Sequence, residues 1–373
     1  MKILQVSCEG LGNGGIQAVI MGICSNMPEI QFDILLFTRE KRYYDDQFKS
    51  LGGKIYRIPN YEGANKFRKK LDYYIRFIRI FIGTYTILKN KGPYDVIHCH
   101  NDLESGICNL AARFAGVKIR ISHAHTANNK FSKKNIIGYI YKRFLQMLMN
   151  LNSNIKIGCT KDALISIFGK KYLKKKHSFI IPNPIDTKKF KRTKKYQSIG
   201  NIKIVHVGRY CENKNQIFLI EILPYILKRF PNALLQLIGF GEEYKKQLKS
   251  KAISLGVQSK VEFLPSDSDI KEVLEEASLF IFPSINEGFG IALLEAQAME
   301  VPCLVSSSVP KDVNCGLCKF LSLSEKKETW AEEAIKIIEN KHELKLNKEK
   351  LYFFDIKNYV QKMKFIYEGG STP

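Results

Sequence analysis

The chain alternates two patterns from its first residues. Short apolar runs at Lys2 to Ser7, Phe32 to Phe37, Ile55 to Ile58, Val96 to His98, Lys118 to Ser122 and Ile155 to Cys159 predict strands of a buried sheet. Segments with apolar residues at helical spacing separate them. The first run leads through Gly10-Leu11-Gly12-Asn13-Gly14-Gly15 into the apolar stretch Ile16 to Ile23. Strand, glycine loop and helix in that order open a doubly wound sheet. Periodicity stops in the polar, basic stretch Lys188 to Asn201, which reads as a linker. The alternation then restarts, with strands expected at Lys203 to Val207, Ala233 to Ile238, Val261 to Phe263 and Leu279 to Phe282. Helices are expected between them at Gln216 to Phe230, Glu242 to Leu255 and Ile270 to Ala277. The pattern therefore predicts an α/β chain of two Rossmann-like parallel-sheet domains, residues 1–190 and 202–355, joined by 191–201. A last helical stretch, Val360 to Tyr367 within 356–373, is expected to cross back onto the first domain. Parallel sheets bind ligands at the carboxyl ends of their strands, so two of them imply a cleft between the domains.

Composition narrows the class. At 373 residues, 45% of them apolar, the chain is globular and longer than one core usually holds. Nine cysteines lack regular spacing and the N-terminus reads as a strand rather than a secretory leader, so a cytoplasmic chain with free thiols is expected. No run reaches the roughly 18 apolar residues of a membrane span. The formal charge of +23 invites an anionic partner. Basic and aromatic residues mix at helical spacing from Lys66 to Ile82 and again from Lys130 through Leu145. Such helices suit an anionic membrane surface, and a peripheral place on the inner face of the cell membrane is expected from them. No zinc-finger spacing or RNA-binding aromatic motif accompanies the charge, which argues against nucleic acid.

The most informative stretch is Asn286-Glu287-Gly288-Phe289-Gly290-Ile291-Ala292-Leu293-Leu294-Glu295-Ala296. It leaves a strand end and opens into a helix, so the amides of Gly288, Phe289, Gly290 and Ile291 are placed to attract phosphate. Glu287 before that helix and Glu295 a turn inside it suit the hydroxyls of a sugar or ribose. The strand Lys203 to Val207 ends in Gly208-Arg209-Tyr210-Cys211-Glu212-Asn213-Lys214, putting two cations on one strand-end loop where they can clamp a diphosphate and stabilise it as a leaving group. Gly239-Phe240-Gly241 is a tight turn that allows close backbone approach. Two histidine pairs, His98 with His100 and His123 with His125, fall at strand ends, but nothing at ligand spacing supports a metal there. Asp267-Ser268-Asp269 reads as a helix cap rather than a metal motif, and Cys315-Gly316-Leu317-Cys318 lacks the partner pair that zinc or redox work requires.

Together these motifs, with Gly14-Gly15, Tyr94 to His100, Cys159-Thr160 and Ile181-Pro182-Asn183-Pro184 in support, resemble the retaining GT-B glycosyltransferases of family four, especially bacterial enzymes of capsule, exopolysaccharide and O-antigen assembly. The resemblance implies a nucleotide-sugar donor, most often a UDP-sugar, no metal and no cofactor, and a saccharide or lipid-linked saccharide acceptor. It implies that Glu287 binds the donor sugar, Glu295 the ribose, and Arg209 and Lys214 the diphosphate. The backbone of Phe263, Leu264, Pro265 and Ser266 would read the base, Gly14, Gly15, Gly208, Gly239 and Gly241 would line the donor site, and His125 would stand beside the reacting sugar carbon. Glu300 departs from the family, which usually carries glycine there. Two rivals keep the same fold: a sugar-nucleotide epimerase, and a non-catalytic sugar-nucleotide-binding subunit.

Overall fold

The computed structural model describes residues 1–7, 10–58, 66–126, 136–193, 202–340 and 343–370, with the side chains of 66–75 left aside. The chain forms two compact units, Met1–Pro184 together with Ile356–Pro373, and Ile185–Asp355. The division thus falls at Pro184 rather than at 190, and most of the expected linker, 194–201, lies outside the described residues.

The first unit is built on seven strands: β1 Lys2–Ser7, β2 Gln31–Leu36, β3 Ile55–Arg57, β4 Val96–Cys99, β5 Ile119–Ala124, β6 Ile155–Gly158 and β7 Ser178–Ile180. They pair in parallel in the order β3-β2-β1-β4-β5-β6-β7. Two expectations need correction. β7, of three residues, was not among the expected strands. β5 runs on through Ala124, so His123 is a strand residue and only His125 follows the strand. The helix Ile356–Tyr367 belongs to this unit and packs against helix Gly15–Ser25, with the buried ring of Tyr367 edge-on to Phe32 at 6.4 Å between centroids.

The second unit carries β8 Lys203–Val207, β9 Leu234–Ile238, β10 Val261–Leu264, β11 Leu279–Phe282, β12 Cys303–Ser306 and β13 Cys318–Leu321, again all parallel, in the order β10-β9-β8-β11-β12-β13. The sequence reading named neither β12 nor β13, each of four residues, the second interrupted by Lys319. Their pairing places Cys303 beside Cys318, so the isolated Cys-x-x-Cys meets a third thiol; all are free cysteines. The main core lies on one face of the sheet, where helices Gln216–Arg229 and Lys327–Glu339 pack together and Trp330 meets Phe218 edge-on.

Both strand orders reverse direction beside their first strand, between β1 and β4 and between β8 and β11. Loops leaving the carboxyl ends of neighbouring strands diverge there, which opens a crevice for ligands in this architecture.

Candidate active site

In the second unit, the loops after β8 and β11 are stitched to each other across that crevice. Asn213 Nδ2 donates to the Asn286 carbonyl at 2.7 Å, the Ile285 amide donates to the Asn213 carbonyl at 2.8 Å, and Asn215 Nδ2 donates to the Pro283 carbonyl at 3.3 Å. The stitching brings Lys214 and Glu287 together as a half-buried ion pair. Ser284 Oγ donates to the same Glu287 oxygen at 3.2 Å, and the Lys214 ammonium sits 4.8 Å from the centre of the Phe282 ring. The two residues are 73 positions apart in the chain, and only the parallel pairing of β8 with β11 makes them neighbours.

Beneath the pair lies His206, buried in β8. Its Nδ1 donates to the Ile281 carbonyl at 2.9 Å, which leaves Nε2 to accept from Gln216 Nε2 at 3.3 Å. Burial lowers this imidazole to about 4, so it is neutral at physiological pH. Gln216 also donates to the Arg209 carbonyl at 2.8 Å, fixing the backbone of the cationic loop. Arg209 itself is exposed, with its guanidinium 5.3 Å from the centre of the Phe240 ring.

Gly208 follows β8, and Gly239 and Gly241 follow β9. A Cβ on Gly239 would lie 2.1 Å from the Gly208 carbonyl oxygen, so this glycine is needed for the two loops to touch. Phe263 and Leu264 end β10, and Pro265 is exposed just beyond it. The helix after β11 is Ile291–Ala298, whose N-cap is Gly290 at φ 98°. That left-handed conformation favours glycine. No side chain caps this helix and its first turn holds no acidic residue, so its leading amides suit an anion. Gly288 precedes it half-buried, while the Phe289 side chain turns inward against Phe354 at 5.8 Å, leaving only its backbone for ligand contact. Glu295 lies in the second turn; burial raises its carboxyl to about 7, with Lys189 opposing the rise. Asp269 caps helix Ile270–Glu275 by accepting from the Lys271 amide at 2.8 Å, as its spacing suggested.

The first unit presents different chemistry. Gly14 is the N-cap and Gly15 the first residue of the helix after β1. The register of β4 with β5 carries His100 beside His123, so residues two apart on each strand put His98, His100, His123 and His125 on one face. All four are buried. Their nitrogens form a chain: His125 Nδ1 to Asn183 Oδ1 at 3.2 Å, His125 Nε2 to His100 Nδ1 at 2.8 Å, and His100 Nε2 to Gln5 Oε1 at 2.9 Å. It continues from Gln5 Nε2 to the Tyr367 hydroxyl at 3.2 Å, from that hydroxyl to His98 Nδ1 at 2.8 Å, and from His98 Nε2 to His123 Nδ1 at 3.2 Å. With Gln5 and Asn183 both accepting, His100 and His125 would share three protons and one positive charge; turning either amide removes it. Burial favours the neutral state, lowering His98, His100 and His123 well below the ordinary imidazole range and His125 to about 4.

His123 supplies the third imidazole that the sequence reading of His98 and His100 lacked, with ligand nitrogens of the three within 4.8 Å of one another. The rings nevertheless crowd together, His98 tilted against His100 at 4.1 Å and His123 stacked on His125 at 4.0 Å, and bond to each other. His125, the expected neighbour of the reacting carbon, has both ring nitrogens engaged inside the protein, so its ring is held rigid rather than left free as a base. Sequence reasoning missed Gln5, Tyr367, His206 and Gln216, and took in Asn183 and Ser284 only as motif members without a role. The only signal for the first unit's set was the paired spacing of the histidines.

Residues 187–350 match the family model described as "Glycosyl transferases group 1". Over 349 residues the chain is 29% identical to the putative glycosyltransferase EpsF of Bacillus subtilis, spanning 89% of this chain and 86% of that protein. It is 25% identical over 315 residues to an Escherichia coli UDP-Gal:α-D-GlcNAc-diphosphoundecaprenol α-1,3-galactosyltransferase, spanning 79% and 76% of the two chains. Among solved structures, Anabaena HepE in complex with UDP-glucose superposes with a TM-score of 0.79 at 18% identity, covering 99% of this chain and 100% of that one. At that identity the likeness speaks to the fold.

Proposed function

We propose, for a chain that belongs to the family-four GT-B glycosyltransferases, that it transfers a sugar from a UDP-sugar to a polyprenyl-diphosphate-linked saccharide, with retention at the anomeric carbon and without a metal. The acceptor class is in keeping with the diphosphoundecaprenol-linked sugar in the name of the Escherichia coli relative, and the setting is bacterial surface polysaccharide assembly.

The observation that carries the donor reading is the Lys214–Glu287 pair at the β8/β11 crevice, beside the uncapped helix at Gly290. A departing diphosphate gathers negative charge, and an ammonium, a guanidinium and helix amides already fixed in place lower that barrier without reorganising. In this reading Lys214 and Arg209 hold the diphosphate, Glu287 accepts hydroxyls of the transferred sugar, and Glu295 accepts from the ribose. Gly288 to Ile291 offer backbone donors, and the end of β10 at Phe263 to Pro265 meets the base. The diphosphate takes the acceptor's proton, and His125, held rigid in the first unit, keeps the place beside the reacting carbon only as what the family resemblance implies.

The test is thermal stabilisation by UDP-, GDP-, ADP- and CMP-sugars with and without a chelator, since a ligand of the folded state raises apparent stability by mass action. A chelator-insensitive shift with UDP-sugars, lost in Lys214→Ala, is expected. A shift that needs a divalent ion, or none at all with any nucleotide, would defeat the reading. Conversion of a UDP-sugar to its epimer without acceptor would favour the epimerase instead.

Peripheral attachment to the membrane gains support from surface chemistry. Helix Ile136–Asn152 exposes Ile136, Ile137, Ile140, Phe144, Met147 and Leu151 in one stripe, beside the exposed Arg143. Among described residues no helix is long and apolar enough to cross a membrane. An interfacial stripe of this kind lies in a bilayer surface. Sedimentation with anionic vesicles, reduced by Ile140→Ser with Phe144→Ser, is the expected result; no sedimentation by the parent chain would leave the stripe to another partner.

A further inference from the structure

We propose that Asn101, Asp102 and Thr126, at the carboxyl ends of β4 and β5, form the site that binds the hydroxyls of the acceptor's sugar ring. The inference rests on the glycosyltransferase reading above and assigns residues that no motif of the chain pointed to.

Three observations converge on this edge of the first sheet. Asn101 is only 5% exposed, yet neither its Nδ2 nor its Oδ1 has a hydrogen-bond partner. Buried amides are almost always satisfied at both ends, and an unfilled one is a cost that folding alone does not require. Its neighbour Asp102 is held at φ 44°, a left-handed conformation that costs free energy for a residue with a Cβ, though less for aspartate than for most. Strain of this sort persists where the side chain it presents is wanted. Thr126, exposed on the loop after β5, donates its hydroxyl to Asp102 Oδ2 at 3.2 Å, so the carboxylate and hydroxyl form one half-exposed polar pair one residue from the unfilled amide.

The donor set defines the ligand class. A primary amide offers two donors and an acceptor, a carboxylate offers acceptors only, and a threonine hydroxyl offers both. Adjacent hydroxyls of a pyranose meet all of these, whereas a phosphate would be repelled by Asp102. Burial raises the Asp102 carboxyl to about 6, with Glu104 adding to the rise and the Thr126 hydroxyl opposing it. This poorly solvated carboxylate gains more from a bound hydroxyl than a hydrated one does. The place is also right by topology, because β4 flanks the point at which the first sheet's strand order reverses. Donor and acceptor sugars share this chemistry, so the experiment must separate them.

Wild type, Asp102→Gly and Asn101→Ala are compared for transfer from UDP-sugars onto phenoxyundecyl-diphosphate carrying N-acetylglucosamine, glucose or galactose. Thermal stabilisation by UDP and the melting temperature are recorded for each. The expected result is an acceptor KM raised by about tenfold or more in both variants, as loss of a hydrogen bond to a charged or buried group implies. The fall in kcat should be smaller than the rise in KM, and stabilisation by UDP should be retained. Glycine relieves the φ 44° strain, so Asp102→Gly should melt at or above the wild-type temperature; a purely structural Asp102 predicts the opposite. Unaltered acceptor KM in both variants overturns the site, and so does a matching rise in the KM for UDP-sugar, which would place the donor there. No transfer by wild type to any of the three carriers overturns the functional reading and takes this site with it.

Discussion

The two sheets share a strand order, reversing beside β1 in one unit and beside β8 in the other, yet their carboxyl edges are furnished in opposite ways. The second unit puts charge on loops: Arg209, Lys214 and Glu287 lie at or near the surface, and the one buried imidazole beneath them, His206, serves as a prop. At the ends of β4 and β5 the first unit instead buries its polar groups, with four neutral imidazoles tied to Gln5, Tyr367 and Asn183 below the edge and Asp102 and Thr126 reaching out. On the reading proposed above, the difference would suit two kinds of ligand. A diphosphate is met by fixed charges that need little support, whereas neutral hydroxyls need direction, which a rigid hydrogen-bonded floor provides.

Acid should separate the two units most sharply. A histidine whose folded value is lowered contributes stability that is complete above the unfolded value near 6.5 and is lost as pH falls toward the folded value. His125 and His206, lowered to about 4, each withdraw about 2 kcal/mol by pH 5. His98, His100, His123 and His125 act together in the first unit, and Asp102, raised to about 6, returns only part, about 1 kcal/mol, on protonation. Among the described residues of the second unit His206 is the one histidine, and Glu295, raised to about 7, offsets it with about 2 kcal/mol. The first unit should therefore unfold first on acidification from pH 7 to 5. The chain's single tryptophan, Trp330, is buried in the second unit, so its fluorescence should change later than far-ultraviolet circular dichroism. Coincident transitions would show that the units melt as one or that the histidines are not neutral.

Substitution at the charged edge comes next in size. Lys214→Ala and Glu287→Ala should each lower kcat/KM by about 100- to 1000-fold, as loss of a preorganised electrostatic group does. Because the two side chains form one ion pair, the double variant should lose less than the product of the singles, measured as a double-mutant cycle in steady-state kinetics. Additive losses would mean that the pair is incidental to turnover.

How far the sequence revealed these edges follows from the same contrast. The charged edge was legible because its groups follow strands with strong apolar runs, Lys203 to Val207 and Leu279 to Phe282, and because glycines mark the loops. The buried edge was legible only as two histidine pairs. Gln5 and Tyr367 are 362 residues apart, and nothing local in a terminal helix announces that its last tyrosine will sit beneath the first strand's glutamine. Strands β7, β12 and β13 were missed as well, although β3 and β11 are just as short and were read; in β7 and β13 a polar residue, Ser178 or Lys319, breaks the apolar run.

Glu295 offers a finer test within the charged edge. A carboxyl raised by burial contributes stability that is complete below its unfolded value near 4.5 and is lost as pH rises through about 7. Glu295→Gln should remove that loss, leaving the variant more stable than wild type by about 3 kcal/mol at pH 8 and within about 1 kcal/mol of it at pH 5, measured by urea denaturation. Equal stability at both pH values would mean that the carboxyl is well solvated. The same variant should bind UDP less tightly if the carboxylate accepts from the ribose.

The smallest effect separates strain that serves a site from strain that does not. Glu300 sits at φ 56° just past helix Ile291–Ala298, where its amide donates to the Gln297 carbonyl at 2.9 Å and the Val301 amide donates to the Ala296 carbonyl at 3.0 Å. That paired pattern is the left-handed helix ending in which glycine is usual. The side chain is exposed and lies at the far end of the helix from Gly290. Glu300→Gly should therefore stabilise the chain by about 0.5–1 kcal/mol, the relief of a left-handed Cβ less the greater freedom of glycine in the unfolded chain, or about 2 °C in melting temperature. Glu300→Ala keeps the Cβ and should gain nothing, so a rise with both substitutions would trace the effect to lost charge instead. Turnover should be untouched in Glu300→Gly, whereas the same relief at Asp102 should weaken acceptor binding; equal behaviour at the two positions would erase the distinction between them.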